Sequence, residues 1–250
     1  MQYQIPERIV CLSNSMPQPD SPHPLLSIII PIYNEEELLP EVLRQVRSIA
    51  YIPKELILVD DCSEDGTRSI LEKEKGREAT VVLYHDRNRG KGAAIRTGLK
   101  SARGEIIIIQ DADMEYDPSD IPKVIEPIVR GEVKVCYGSR FLGSVEKMRL
   151  PNRVANWILA RTVSRLYGQT VTDEATAYKA FRREVIQNIP LECERFEFCP
   201  EVTAKVLRRG YRIAEVPVKF VARTVEEGKK IGYRDFFTAM RILIKHRFKE

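Results

Sequence analysis

The sequence predicts an α/β fold: a mostly parallel sheet with helices on both faces, closed by a C-terminal amphipathic helix. Three observations point there. From Leu25 onward, short apolar runs alternate with segments of helical periodicity, the signature of repeated βαβ units. The run Glu105-Ile106-Ile107-Ile108-Ile109 has no polar alternation, so it must be buried on both faces, as in a parallel sheet between helix layers. Three of the first four strands also end in acidic or polar clusters, and in parallel sheets ligands bind beyond the carboxyl ends of the strands.

The elements follow in order. Strand 25–31 leads to a helix over about 36–50, strand 55–60 to a helix over 65–76, strand 79–84 to a helix over 91–103, and strand 105–110 ends on Asp111-Ala112-Asp113. A short helix, a strand over 133–137 and a helix from Pro151 come next, proline suiting a first helical position. In the second half the pattern predicts a strand over 175–181, a helix over 197–209, and a strand over 211–221 in which Pro217 argues for a sheet edge. A final helix over 233–248 carries Phe236, Phe237, Met240, Leu243, Ile244 and Phe248. Its apolar stripe reads either as docked on its own domain or, with Lys245, Arg247 and Lys249 beside it, as touching anionic lipid. Residues 1–24 hold five prolines and little apolar periodicity, so a flexible arm is expected there and a single domain over 25–250.

Composition narrows the chemistry. A formal charge of +4 is too small for a dedicated nucleic-acid binder but suits anionic ligands or an anionic membrane surface. Five scattered cysteines form no C-x-x-C pair, which argues against a zinc site or disulfide framework and for a reducing, cytosolic setting. No apolar run approaches the length of a membrane span, so any membrane contact is expected to be peripheral. With only His23, His85 and His246, a Ser/His/Asp triad or a His-rich metal centre is disfavoured, leaving carboxylates, a cation and basic groups.

Two stretches carry that chemistry. In extended backbone the side chains of Asp111 and Asp113 point the same way, and a hard divalent cation relieves the repulsion of two such carboxylates; the same pattern also opens loops and caps helices. Tyr33-Asn34-Glu35 and Asp60-Asp61 end neighbouring strands, and the convergence of three such clusters on one edge is expected of a site. The stretch Asp86–Ala94 follows the third strand and opens a helix with glycine and basic residues, so free backbone N–H groups there would suit an anion. It is neither a P-loop nor a dinucleotide fingerprint.

Pro31-Ile32-Tyr33-Asn34-Glu35, Asp60-Asp61-Cys62-Ser63-Glu64-Asp65-Gly66-Thr67, Gly90-Lys91-Gly92, Asp111-Ala112-Asp113 and Gly138-Ser139-Arg140-Phe141 occur in the order and spacing of glycosyltransferase family 2. The chain resembles in particular the polyprenyl-phosphate sugar synthases, of which dolichyl-phosphate mannose synthase is typical. The resemblance runs from Leu25 to Phe248 and takes in Asp173 to Arg182 and Arg223 to Ile231. It implies a GT-A type, Rossmann-like domain. By the same match Pro31, Tyr33, Glu35 and Asp60 line the nucleoside pocket, with Lys91 nearby. Asp111, Asp113 and Glu115 would hold Mg²⁺ or Mn²⁺ under the diphosphate, and Arg223 and Lys229 would close over it. Arg140 and Arg153, with Asn156, would grip the acceptor phosphate, so that Asp113, Arg140 and Arg153 form the expected catalytic group.

The implied reaction moves a hexose, mannose or glucose, from a nucleotide diphosphate sugar to a polyprenyl or dolichyl phosphate in one inverting displacement. A phosphate monoester is largely ionised near neutral pH, so it needs positive charge to hold it rather than a strong base. The implied partners are a nucleotide sugar, a polyprenyl phosphate and a membrane surface, with no nucleic acid, and the implied location is the cytoplasmic face of a membrane. Two other readings stay open: a family 2 transferase acting on a glycan hydroxyl with Asp173 or Glu174 as base, and an inactive nucleotide-sugar-binding subunit.

Overall fold

A computed structural model describes residues 24–51, 53–223 and 233–248. The expected arm at 1–24 thus lies almost wholly outside the described residues, as does Lys229. The described chain runs β1 (Leu26–Ile32), α1 (Leu39–Ser48), β2 (Lys54–Asp60), α2 (Thr67–Glu74), β3 (Thr80–Tyr84), α3 (Lys91–Ser101) and β4 (Ile106–Ile109). After a 3-10 turn at Pro118–Asp120 come α4 (Ile121–Val129), β5 (Val135–Glu146), α5 (Leu150–Tyr167), β6 (Lys179–Arg182), α6 (Arg183–Gln187), α7 (Phe198–Arg208), β7 (Ile213–Val221) and α8 (Tyr233–Phe248).

The seven strands form one sheet in the order β3-β2-β1-β4-β6-β5-β7. β1 pairs in parallel with β2 and β4, β2 with β3, and β5 with β7, while β6 runs antiparallel between β4 and β5. Successive side chains of a strand face opposite ways, and the apolar runs use both faces. Ile28, Ile30, Ile106 and Ile108 pack with Val42, Leu43 and Val46 of α1, Leu71 of α2 and Val124, Ile125 and Ile128 of α4. On the other face Ile29, Ile57, Val59, Ile107 and Ile109 pack with Ala94, Ile95 and Leu99 of α3 and with Phe198, Val202 and Val206 of α7. The four isoleucines of β4 are fully buried or within 1% of it. At roughly 1.5–3 kcal/mol per buried side chain they hold the strand that delivers Asp111 firmly in register.

Several elements differ in extent from the sequence pattern. β5 runs nine residues beyond the expected 137, because an irregularity between Ser139 and Ser144 lets it resume pairing with β7. The strand expected over 175–181 is confined to Lys179–Arg182, since Glu174 to Tyr178 are occupied by hydrogen bonds to side chains and loops. β7 is an outer strand of the sheet, as Pro217 suggests. α8 docks through Ala239 and Leu243, with Phe236 and Met240, against Leu159 and Val163 of α5 and Ala204 of α7. Phe237, Ile244 and Phe248 remain exposed on its outer side. No helix among the described residues is long and apolar enough to cross a membrane.

Candidate active site

The chain crosses from β3 to β4 over β2 and β1, so strand order reverses beside β1. The crevice beyond the carboxyl ends of β1, β2 and β4 is therefore the topological switch point where such sheets bind ligands. The turns leaving these three strands each contain a non-glycine residue in the left-handed region: Asn34 (φ 53°), Cys62 (φ 64°) and Met114 (φ 57°). Cysteine and methionine lack the short polar side chain that eases this conformation, so it persists only where surrounding contacts enforce it, and such strain clusters at functional sites.

Those contacts are on hand. Asn34 N–H donates to Ser63 Oγ at 2.9 Å, Glu64 N–H to Asn34 Oδ1 at 2.8 Å, and Glu35 N–H to Thr67 Oγ1 at 2.9 Å, stitching the first two turns together. Pro31 is the penultimate residue of β1 and Tyr33 follows the strand's end, both half-buried. Asp60 is fully buried at the end of β2 and accepts from Arg68 Nε at 2.8 Å and Ser63 N–H at 3.1 Å. Arg68 is a partner the sequence reading missed.

Asp61 gathers three donors on one carboxylate. Its carboxylate accepts from Arg89 N–H at 2.8 Å, Gly90 N–H at 2.6 Å and His85 Nδ1 at 2.7 Å, while His85 Nε2 lies 2.9 Å from Thr97 Oγ1. With Nδ1–H donating to Asp61, Nε2 is left to accept from the threonine hydroxyl when the ring is neutral. Asp61 and His85 each follow the end of a neighbouring parallel strand, and that shared position was the available signal.

The loop before α3 departs from expectation. Its backbone N–H groups are not free for an anion: Arg89 and Gly90 donate to Asp61, Gly92 donates to Arg195 O at 3.1 Å, and Ala93 to Glu194 O at 2.9 Å. A segment a hundred residues away caps the helix, and nothing local in the sequence signals it. Lys91 contributes its side chain instead, with Nζ 2.6 Å from Asp111 Oδ1. Burial opposes the Lys91 charge, but Asp111 overrides it and holds the pKa above the ordinary value.

The turn 110–117 is fixed from beneath. Tyr178 Oη donates to Gln110 Oε1 at 2.5 Å and stacks on Tyr116 at 4.6 Å between ring centroids, and Gln110 Nε2 donates to Asp111 O. Arg223 closes the turn from β7: its guanidinium contacts Glu35 at 2.6 Å and 3.2 Å, its Nε donates to Asp113 O at 3.0 Å, and its N–H donates to Glu115 Oε1 at 2.7 Å. Arg223 therefore brings Glu35, Asp113 and Glu115 together. Burial, then Asp111, then Glu115 push the Asp113 carboxyl up to about 7.

Among the described residues no three His, Cys, Asp or Glu side chains stand together as a ready cation site, and Lys91 pairs with Asp111 while the Arg223 N–H donates to Glu115. The donor chemistry nonetheless fits Mg²⁺ or Mn²⁺. Asp111 and Asp113 offer hard carboxylate oxygens, and burial followed by the like charges of Asp111 and Glu115, which a cation would offset, is what raises the Asp113 carboxyl.

The expected acceptor group is placed differently. Arg140 forks onto Asp173, with Nε to Oδ2 and NH2 to Oδ1 both at 2.7 Å, and its backbone N–H adds a third bond at 2.9 Å. Its side chain is only 8% exposed and lies over the ring of Phe220. A phosphate would have to compete with Asp173 for this guanidinium. Arg153 is exposed on α5, and Asn156, a turn later, lies against the sulfur of Met148; among the described residues neither hydrogen-bonds to Arg140, Asp111 or Asp113. Asp173 is thus committed to Arg140, and Glu174 is 1% exposed, so neither is presented to solvent as a base.

The glycosyl transferase family 2 model matches residues 27–189. The chain belongs to glycosyltransferase family 2. It is 32% identical over 201 residues to an uncharacterized protein of Methanocaldococcus jannaschii, covering 78% of this chain and 80% of that one. It is 30% identical over 237 residues to the UDP-N-acetylglucosamine–dolichyl-phosphate N-acetylglucosaminyltransferase of Methanococcus voltae, covering 85% and 94%. It is also 31% identical over 232 residues to the undecaprenyl-phosphate 4-deoxy-4-formamido-L-arabinose transferase of Pseudomonas fluorescens, covering 89% of this chain but only 63% of that longer protein. Among solved structures, glucosyl-3-phosphoglycerate synthase from Mycobacterium tuberculosis with Mn²⁺, UDP-glucose and phosphoglyceric acid superposes with a TM-score of 0.69. It covers 90% of this chain and 80% of that one at 19% identity, a likeness of fold.

Proposed function

We propose that this family 2 glycosyltransferase moves a sugar from a nucleotide diphosphate sugar to a polyprenyl phosphate at a membrane surface, on its cytoplasmic face. The observation that carries this reading is the acidic turn Asp111–Glu115 at the switch point, bracketed by Lys91 and Arg223. The named activities of the Methanococcus and Pseudomonas relatives support the acceptor class. Those relatives transfer N-acetylglucosamine and a formamido-arabinose, so the donor sugar proposed here is broader than the mannose or glucose expected from the motifs.

In this mechanism Asp60, held by Arg68, forms the floor of the nucleoside pocket, with Pro31 and Tyr33 at its side. Asp111 and Asp113 would hold Mg²⁺ or Mn²⁺, which when bound supplies Lewis-acid stabilisation of the departing diphosphate. Lys91 stands ready to turn from Asp111 toward diphosphate oxygens, and Arg223 ties the Asp113 turn to Glu35, with Lys229, outside the described residues, proposed to join it at the diphosphate. The acceptor phosphate, already ionised, attacks the anomeric carbon without a protein base. Arg153 and Asn156 are proposed to receive it, and Arg140 to hold the 173–178 turn through Asp173.

The test incubates the protein with Mn²⁺ or Mg²⁺, undecaprenyl phosphate and radiolabelled UDP-glucose, UDP-N-acetylglucosamine or GDP-mannose. The expected outcome is label in the organic phase that mild acid releases and mild base does not, and a drop of roughly 10²-fold or more for Asp113→Ala. Unchanged metal-dependent turnover in that variant refutes the role of Asp113, and label only on glycan hydroxyls refutes the acceptor.

A further inference from the structure

α5 and α8 lie side by side in the same direction. Phe236, near the start of α8, lines a groove with Leu150, Pro151, Val154, Ala155 and Ile158 of α5. At the other end Tyr167 Oη donates to Leu243 O and Arg247 Nε donates to Leu166 O, both at 2.7 Å. At 1.5 Å per residue the two helices extend about 27 Å and 24 Å. Each turns one apolar side into the protein, and each carries a second that no other described residue covers. On α5 the outer side shows Leu150 (72% exposed), Val154 and Trp157 (58%), spaced i, i+4, i+7; on α8 it shows Phe237 (66%), Ile244 and Phe248 (74%). The groove between them has a volume of about 440 Å³ and is almost wholly apolar.

The charges on these two helices are predominantly positive. α5 carries Arg153, Arg161 and Arg165 and no acid; α8 carries Arg234, Arg241, Lys245 and Arg247 against Asp235 alone. All seven of these cations are exposed, and the Arg161 guanidinium rests over the Trp157 ring at 5.7 Å. Exposed aromatic and aliphatic side chains set among arginines and lysines suit the boundary between headgroups and acyl chains of an anionic bilayer. A soluble protein partner of this chain would need acidic groups at the same points, whereas phospholipid headgroups supply negative charge and acyl chains together.

We propose that the outer face of α5 and α8 is the surface by which this protein lies on an anionic membrane, with the Leu150–Trp157 and Phe237–Phe248 stripes entering the headgroup boundary. The choice of a lipid surface rests on the proposed acceptor. It also explains why Arg153 and Asn156 share α5 with the apolar stripe: a lipid phosphate then meets them at the level of the headgroups.

Flotation of the full chain with vesicles of phosphatidylcholine, with and without phosphatidylglycerol and free of acceptor and donor, tests the face alone. The wild type is expected to float with the anionic vesicles and to be released progressively by salt. Trp157→Glu with Phe237→Glu is expected to bind at least about tenfold more weakly, while melting as the wild type does and transferring normally to a short, water-soluble prenyl phosphate. Equal flotation of variant and wild type, or a wild type that stays with the soluble fraction, overturns the proposal. So does sedimentation showing a wild-type dimer that the substitutions split, which would make the face an interface between copies. Failed sugar transfer with flotation as expected would remove the proposed reaction and leave the membrane face standing.

Discussion

Replacing Asp173 by alanine removes one carboxylate and strands three donors at once: Arg140 Nε, Arg140 NH2 and the Arg140 backbone N–H. The guanidinium then remains in a pocket where its side chain is 8% exposed, with Phe220 on one side. Burial opposes the Arg140 charge, and Asp173 is what overrides that opposition and keeps the guanidinium firmly protonated. Removing one member of such a buried pair typically costs about 3–5 kcal/mol, against a whole-domain stability of about 5–15 kcal/mol. For a chain of this length that is a drop of roughly 6–20 °C in Tm. Urea denaturation and thermal melts of Asp173→Ala measure it. The double variant Arg140→Met with Asp173→Leu is expected to recover most of the loss, since a well-packed apolar pair of similar volume is often neutral. A loss below about 1 kcal/mol in the single variant would show that the guanidinium reaches water and refute the reasoning. The folded double variant also separates two roles of Arg140: retained transfer fits a positioning role, and abolished transfer fits a grip on the acceptor.

Three further outcomes follow from the site. Asp113, pushed up to about 7, holds a proton in the folded chain that the unfolded chain has released above about pH 4; without metal, stability should therefore fall as pH rises from about 4 to about 7. Saturating Mn²⁺ should flatten that slope and its binding should release protons, with Asp113→Asn lacking both effects in melts and calorimetry; an unchanged slope in the variant would count against it. Gly90→Ala places a Cβ 2.5 Å from Glu194 O at a φ of +95°, so a loss exceeding about 1 kcal/mol and faster amide exchange at Gly92 and Ala93 are expected by hydrogen exchange. Asp61→Ala orphans two backbone N–H groups and the His85 ring, with an expected loss of roughly 2–5 kcal/mol in urea denaturation and a weakened donor affinity, read as a raised KM.

The order of elements up to β4, the two-faced burial of Ile106–Ile109, the edge position of β7 and the placing of Asp111 and Asp113 beyond a strand end were all legible in the sequence. So was the family. These features rest on periodicity, turn residues and motif spacing, which act over a few residues or are carried by short blocks in a fixed order. The contact of Asp61 with His85 was half legible, because both positions follow strand ends but the pairing of the strands was not given. The sequence could not show that α3 is capped by Glu194 and Arg195 rather than open to an anion, or that Arg140 turns inward to Asp173. It also could not show that Arg223 reaches back 188 residues to Glu35, or that α8 buries one apolar side and leaves another exposed. Which of several possible partners a charged group takes is decided by what folding brings within about 3 Å of it and how much water that leaves. The sequence by itself therefore determined the scaffold and the inventory of charges, and the tertiary structure alone decided which charges neutralise one another inside and which remain for a ligand.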